Sequence, residues 1–132
     1  MDLPDDLAAL LRRPSPCLVS TTMPDGQPHL TQTWVDTDGE LVLVNTVRGY
    51  QKLRNVERDP RVGLAVLDPD DPFSYWSLDG EVVSATEEGG AEHIEALSQR
   101  YTGKPYPWFG GRDQVRVVLG IRVTKVRMRP WG

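Results

Sequence analysis

The sequence predicts a mainly β protein, a small antiparallel barrel of six strands with short helices. Apolar residues alternate strictly over residues 115–123, so one face of a long final strand should point inward. Turn signals at residues 24–26 and 38–39 separate shorter runs, which is typical of hairpins. Because an antiparallel sheet of six strands exposes two edges unless it closes, we expect a barrel.

The first half of the chain supplies one helix and three strands. Leucines at helical spacing predict a helix over residues 4–13, which two prolines end. The β-rich run 17–23 is the first strand, and the first turn leads into a second strand over residues 28–36. The second turn is followed by a third strand over residues 40–46. This half therefore reads as a helix followed by a three-stranded meander.

The second half alternates helices and strands. A short helix is expected over residues 49–58, and the apolar run 62–67 is the fourth strand. The long fifth strand spans residues 73–86, with a bulge expected at Asp79-Gly80. A third helix over residues 88–101 completes this part.

The C-terminal part begins with a loop, residues 102–112, that carries Tyr106, Trp108 and Phe109 among Gly and Pro. An aromatic loop of this kind either borders a pocket or packs on a partner. The last strand starts at residue 113, and its apolar residues change parity before Val126. We therefore expect a second bulge near Thr124-Lys125, or else a change of the surface that the strand covers.

Composition restricts the class of function. A chain of 132 residues fits one domain, residues 1–132, and a net charge of −4 disfavours general nucleic-acid binding. Neither a membrane span nor a secretory leader is evident. One cysteine and two histidines leave little material for a disulfide or a metal site. We expect a cytoplasmic protein that uses no metal.

Residues 48–61, called the basic segment below, are the most informative part of the chain. They hold five basic residues against two acidic ones, directly after an apolar strand. Gly49 interrupts that strand and a helix starts, so free backbone N–H groups and cationic side chains meet at one place. Lys52 and Asn55 share a helical face, and Arg48 can approach it. We read this as a clamp for a phosphorylated cofactor; the alternative is a solvated basic face.

Three stretches together resemble a known family: PDGQPHLTQTW, KLRNVERDPRVGLAV and EALSQRYTGKPYP. They are similar to the flavin/deazaflavin oxidoreductases of the pyridoxamine 5'-phosphate oxidase-like split-barrel superfamily, and more narrowly to the branch that uses coenzyme F420, a deazaflavin common in actinobacteria. The resemblance covers roughly residues 5–128. It implies a six-stranded split β-barrel and a homodimer with cofactor sites at the interface.

The resemblance also implies the site residues. In the family, a Lys and an Asn that match Lys52 and Asn55 hold the cofactor phosphate. Many relatives carry Arg two positions before the Lys, where this chain has Tyr50. The residues that would line the same groove are Arg48, Gly49, Tyr50 and Gln51. The residues that would lie along the tricyclic ring are Gln32, Thr33, Trp34, Asn45 and Thr46. No catalytic side chain is implied.

The expected function is hydride transfer between coenzyme F420 and a small organic acceptor such as an enone, a quinone or a tetrapyrrole. FMN also presents a phosphate, so an FMN-dependent enzyme on the same fold stays open. A non-catalytic carrier of F420, flavin or haem is a third reading, and a structural dimer with an empty groove is a fourth. His29 is the only histidine near the predicted site, and a surface position is the more common role for such a residue.

Overall fold

The structure is a computed structural model that describes residues 2–130. Its elements alternate short helices with antiparallel strands. The helices are α1 (Asp5–Leu11), α2 (Gln51–Arg58) and α3 (Gly90–Thr102). The strands are β1 (Cys17–Thr22), β2 (Pro28–Thr33), β3 (Val35–Thr37), β4 (Val42–Val47), β5 (Arg61–Leu67), β6 (Tyr75–Thr86) and β7 (Arg116–Met128).

The seven strands form one antiparallel sheet in the order β2-β1-β5-β6-β7-β4-β3. The two edge strands, β2 and β3, are consecutive in the chain and only Trp34 separates them. Because Thr33 and Val35 are only two residue steps apart, at most about 7 Å, the end of one edge strand adjoins the start of the other, and the sheet is curled into a half-barrel. The mainly β class is confirmed, whereas the predicted count of six strands is wrong. The expected strand over residues 28–36 breaks at Trp34, where its pairing partner changes from β1 to β4.

Both predicted bulges lie in the ladder between β6 and β7. Asp79 pairs with Lys125, and Gly80 pairs with Val123, so Thr124 is left unpaired. This single irregularity accounts for the break expected at Asp79-Gly80 and for the parity change on β7. Val126, which pairs with the buried Leu78, packs against the same core as Val123, so the bulge keeps the apolar side chains of β7 facing inward when their parity changes.

The core lies inside the curl. Alternate residues of β7 (Val117, Leu119, Ile121 and Val123) are buried there, whereas Val115 precedes the strand and is exposed, contrary to expectation. Leucines of α1 close one end of the core, with Leu7 and Leu11 fully buried. No helix within residues 2–130 is long and apolar enough to cross a membrane.

The outer face of β4 and β7 is covered by α3. At the first residue of α3, Gly90 packs so tightly that an added Cβ would lie 2.3 Å from the carbonyl oxygen of Arg116. Only glycine allows this approach. It brings the N-terminus of α3 directly against the strands, beside side chains that line a cavity.

Candidate functional site

A cavity of about 520 Å³ lies between α3, the outer face of β4 and β7, and the connection from β2 to β3. This volume is within the range of small-molecule sites. Its walls are mostly apolar and aromatic, with a few polar groups. The lining residues are Pro14, Pro16, Gln32, Thr33, Trp34, Asn45, Ile94, Leu97, Tyr101, Tyr106, Phe109 and Arg116.

One wall is an aromatic stack. The rings of Trp34 and Tyr101 lie 5.3 Å apart and are nearly parallel. The Tyr101 hydroxyl accepts a hydrogen bond from the Val35 amide (3.0 Å) and donates one to the Ser15 carbonyl (2.6 Å). Burial raises the pKa of Tyr101 to about 12, although the Val35 bond opposes the shift. Tyr101 therefore holds Trp34 in place and stays protonated at physiological pH.

The aromatic loop supplies the facing wall. Tyr106 is buried against Trp34, with the two rings edge to face at 6.4 Å, and Phe109 is 84% exposed at the cavity mouth. Trp108 packs edge-on to Tyr106 in a left-handed backbone conformation, with φ 53°, which is uncommon for a large side chain. Of the two readings of this loop, bordering a pocket is thus the one that the geometry supports.

Arg116 lies at one corner of the cavity, and a second cation, Lys52, is close enough to repel it. Arg116, the first residue of β7, donates a 2.5 Å hydrogen bond to the Tyr106 hydroxyl and lies 4.9 Å above that ring. Its Nε is buried and has no hydrogen-bond partner within residues 2–130. Burial lowers the pKa of Lys52; the Cys17 thiol opposes this shift, and repulsion from Arg116 adds to it. We call Lys52 and Arg116 the cationic corner. In the part of the chain that the structure describes, no carboxylate pairs with either residue.

The other cations of the basic segment are engaged. Arg48 ion-pairs with Glu87 at 3.0 Å and with Glu57 at 3.5 Å. Arg54 donates to the Gly49 carbonyl and to Gln51, both at 2.6 Å. The helix α2 begins at Gln51, two residues after Gly49, whose φ is 99°, and no side chain caps its N-terminus.

Asn55 faces the interior of the fold. It is fully buried, and its amide nitrogen donates to the Thr21 hydroxyl at 3.0 Å. Its amide oxygen accepts hydrogen bonds from Gln51 (2.7 Å) and Arg58 (3.3 Å). In this arrangement its hydrogen-bonding groups serve to anchor α2 to β1.

A polar chain runs behind the cavity. Asn45 on β4 donates through Nδ2 to the Gly90 carbonyl (2.9 Å) and contacts Nδ1 of His93 (3.2 Å). The His93 Nε2 lies 3.2 Å from one oxygen of Asp36, whose other oxygen accepts from Arg100 at 3.0 Å. Burial alone would raise the pKa of Asp36, but the bonds from His93, the Thr37 backbone and Arg100 together lower it.

The structure thus brings part of the predicted set together. Gln32, Thr33, Trp34 and Asn45 line the cavity, whereas Thr46 shares the core-facing side of β4 with Val44. Tyr50 is exposed and accepts a hydrogen bond from Gln114. The sequence reading missed Arg116 and His93. His93, rather than His29, is the histidine bonded to the cavity wall. The one sequence signal for Arg116 was its position, as a cation at the start of the strictly alternating apolar residues of the last strand.

The fold agrees with the comparisons to known proteins. The model of the family described as pyridoxamine 5'-phosphate oxidase matches residues 3–130, so the chain belongs to that family. Family and fold together support an oxidoreductase that binds a flavin-type ring. Among curated proteins, none matches this sequence.

Solved structures give a finer likeness. An F420 reductase superposes with a TM-score of 0.80 at 29% identity, over 94% of this chain and 98% of that one. A conserved hypothetical protein from Mycobacterium tuberculosis has a TM-score of 0.69 at 28% identity, over 97% of this chain and 85% of that one. A pyridoxamine 5'-phosphate oxidase-like protein from Listeria innocua shares the fold, with a TM-score of 0.69 at 22% identity, over 93% of this chain and 94% of that one.

Proposed function

We propose that this protein is an F420-dependent oxidoreductase that transfers hydride between deazaflavin coenzyme F420 and a small organic acceptor of the enone, quinone or tetrapyrrole class. One observation carries the proposal. An aromatic-walled cavity of about 520 Å³ is lined by Arg116, a cation with no carboxylate partner in residues 2–130, in a chain that is 29% identical to an F420 reductase over almost its whole length. A second cation, Lys52, lies close enough to Arg116 for the two charges to repel each other. When bound, the deazaflavin supplies the hydride, and the protein has to hold the ring and exclude water.

The ring is proposed to lie against Gln32, Thr33, Trp34 and Asn45. The flat indole of Trp34 is held by Tyr101 at the cavity wall, so it offers a ready stacking surface. Tyr106 and Phe109 of the aromatic loop line the same cavity and add further aromatic surface for a planar ligand. Thr46 contributes to this wall only as the core-facing neighbour of Asn45 on β4.

The phosphate-bearing tail is proposed to reach the cationic corner. A half-buried lysine without a counter-ion has lost part of its hydration without a compensating partner, so an anionic ligand offsets that cost. Gly49, Tyr50 and Gln51 lie next to Lys52 in the chain, and the uncapped first turn of α2 adds N–H donors, although the Tyr50 N–H already donates to the Val47 carbonyl. Arg48 and Asn55 remain predicted contacts, and each must exchange an existing partner to serve.

A homodimer is also proposed. Leu18 and Gln32 are directly paired across β1 and β2, so they share one face of the sheet, and Leu30 lies on the same face. Leu30 is 67% exposed. A second copy that covered this face would arrive beside Gln32, which lines the cavity. Light scattering after size-exclusion chromatography tests this, and Leu30→Glu should give a monomer with weakened cofactor binding.

The test of the function is a pair of titrations followed by turnover. Fluorescence titration with oxidised F420 and with FMN is expected to show tighter binding of F420. F420 reduced by a separate enzyme should then be oxidised in the presence of enones, quinones or tetrapyrroles. FMN affinity well above that for F420 would favour the FMN-dependent alternative. Tight F420 binding without turnover across the screen would favour a carrier.

A further inference from the structure

The Asn45 amide has only one consistent orientation. A carbonyl oxygen can only accept hydrogen bonds, so the group that lies 2.9 Å from the Gly90 carbonyl must be the amide nitrogen. Oδ1 then points the other way. It is buried and has no hydrogen-bond partner within residues 2–130, on a side chain that lines the cavity.

His93 fixes this orientation from behind. The second hydrogen on Asn45 Nδ2 points to His93 Nδ1 at 3.2 Å, so Nδ1 must accept. The proton of the ring is therefore on Nε2, which donates to Asp36 at 3.2 Å. This chain of hydrogen bonds ends on either side at a group that can only accept, the Gly90 carbonyl and the Asp36 carboxylate. Every donor between them is thus assigned, and the one acceptor left over is Asn45 Oδ1.

A buried acceptor without a partner destabilises the fold, and a ligand that donates to it recovers that free energy. In oxidised flavins and deazaflavins the tricyclic ring has a single N–H, at N3. We propose that Asn45 Oδ1 accepts a hydrogen bond from this N–H, and that His93, held by Asp36, is the positioning residue that fixes the amide with Oδ1 left for a ligand donor. This inference rests on the proposed binding of a flavin-type ring and adds the atom that Asn45 recognises.

The test compares oxidised F420 and FMN, each with its N3-methylated derivative. The wild-type protein should bind the parent rings roughly five- to tenfold more tightly than the methylated ones. Asn45→Leu keeps the bulk of the side chain and removes the acceptor, so the preference should vanish because the parent rings lose affinity. If Asn45→Leu keeps the full preference, the discrimination is steric and the proposal is overturned.

His93 is tested through the same ratio. His93→Leu should reduce the preference for the parent ring, and His93→Asn, which retains an acceptor near the position of Nδ1, should restore it in part. A merely structural histidine would change the melting temperature and leave the ratio intact. Nitrogen-15 NMR of the free protein adds a readout without ligand: a proton on Nδ1 of His93 would contradict the inference.

The outcomes separate the two proposals. If the wild type binds neither F420 nor FMN, the proposed function falls and this inference falls with it. If it binds F420 and FMN, and binds the N3-methylated derivative of each as tightly as the parent, only the role of Asn45 is overturned. Where Asn45→Leu fails to fold, the wild-type ratio and the two His93 variants still decide.

Discussion

The exposed cations of the basic segment and the cationic corner differ in their partners. Arg48 has two carboxylates within 3.5 Å, and Arg61 pairs with Asp59 at 2.8 Å. Lys52 and Arg116, in contrast, have no carboxylate partner in residues 2–130, and both are partly withdrawn from water. The dense charge of the segment is therefore largely neutralised on the protein itself.

This difference indicates where an anion gains most. An exposed, paired arginine has to give up its carboxylate and its water before it contributes to binding, and such pairs are individually weak. A half-buried, unpaired lysine has already lost its water, so an incoming anion meets an uncompensated charge. The loss of ligand affinity on substituting a cation should therefore depend more on whether that cation is unpaired than on whether it belongs to a cluster.

The substitution expected to weaken cofactor binding most is that of Lys52. Lys52→Ala should weaken F420 binding by about 10- to 100-fold, as expected for a lost charged hydrogen bond. Arg61→Ala is the matched control, because it removes one charge from the same segment on a side chain that is 83% exposed. Fluorescence titration measures both, and equal losses in the two variants would mean that net charge alone attracts the ligand.

Removal of the second cation at the corner should have a somewhat smaller effect. Arg116→Met is expected to weaken F420 binding by roughly 5- to 20-fold. It also breaks the hydrogen bond to the Tyr106 hydroxyl. Tyr106→Phe breaks that bond and keeps the cation, so it should cost less than about threefold. If the two variants lose affinity equally, Arg116 acts by supporting the aromatic loop and not by its charge.

Asp36 lies in the polar chain behind the cavity, and its carboxylate is already bonded to Arg100 and His93. Its folded-state pKa lies below the ordinary value, so its contribution is present above about pH 4 and is lost as pH falls through the folded pKa. Asp36→Asn should therefore cost roughly 1–2 kcal/mol of unfolding free energy at pH 7. Denaturant unfolding at several pH values should show that the difference in unfolding free energy between the wild type and Asp36→Asn narrows below about pH 4. A difference that does not change with pH would mean that the substitution acts through packing.

The cost of an unpaired lysine should also appear in the free protein. Lys52→Met removes a charge that the fold partly desolvates, so the ligand-free protein should become more stable, by about 3 °C in Tm. Arg61→Met, which loses only a surface ion pair, should change Tm by less than about 1 °C. Calorimetry at neutral pH measures both. A lower Tm for Lys52→Met would mean that its ammonium has a stabilising partner.

The smallest effect is expected at Arg48. Because Glu57 and Glu87 share its charge, Arg48→Ala should change F420 affinity by less than about threefold. Glu87→Gln frees part of that charge and should tighten binding slightly, or leave it unchanged. A loss at Arg48 as large as that at Lys52 would show that the ligand displaces both carboxylates, and would remove the contrast between the two regions.

Much of the strand pattern was predictable because a strand with one buried face alternates apolar and polar residues. The parity change before Val126 located a bulge in β7, and the Asp79-Gly80 break located its partner. The division at Trp34 was not predicted, since no Gly, Pro or Asn-Gly turn signal separates two strands within residues 29–36. What breaks the strand there is a change of neighbour, from β1 to β4.

Half of the site followed from local sequence. The basic segment pointed to Lys52, and the resemblance pointed to Gln32, Thr33, Trp34 and Asn45, which do line one cavity. His93 looked like any polar residue of a surface helix, because its partners Asp36 and Asn45 lie 57 and 48 residues away. Contacts at such separation leave no mark in a local pattern.

The sequence by itself determined the class of fold, the turns that divide its strands and the segment where cations accumulate, because each depends on residues adjacent in the chain. Only the tertiary structure decided which of those cations stay unpaired and which amide oxygen is left without a donor. Pairing depends on which groups the fold brings within about 4 Å of each other. In this protein the curl of the sheet and the packing of α3 against β7 determine those contacts.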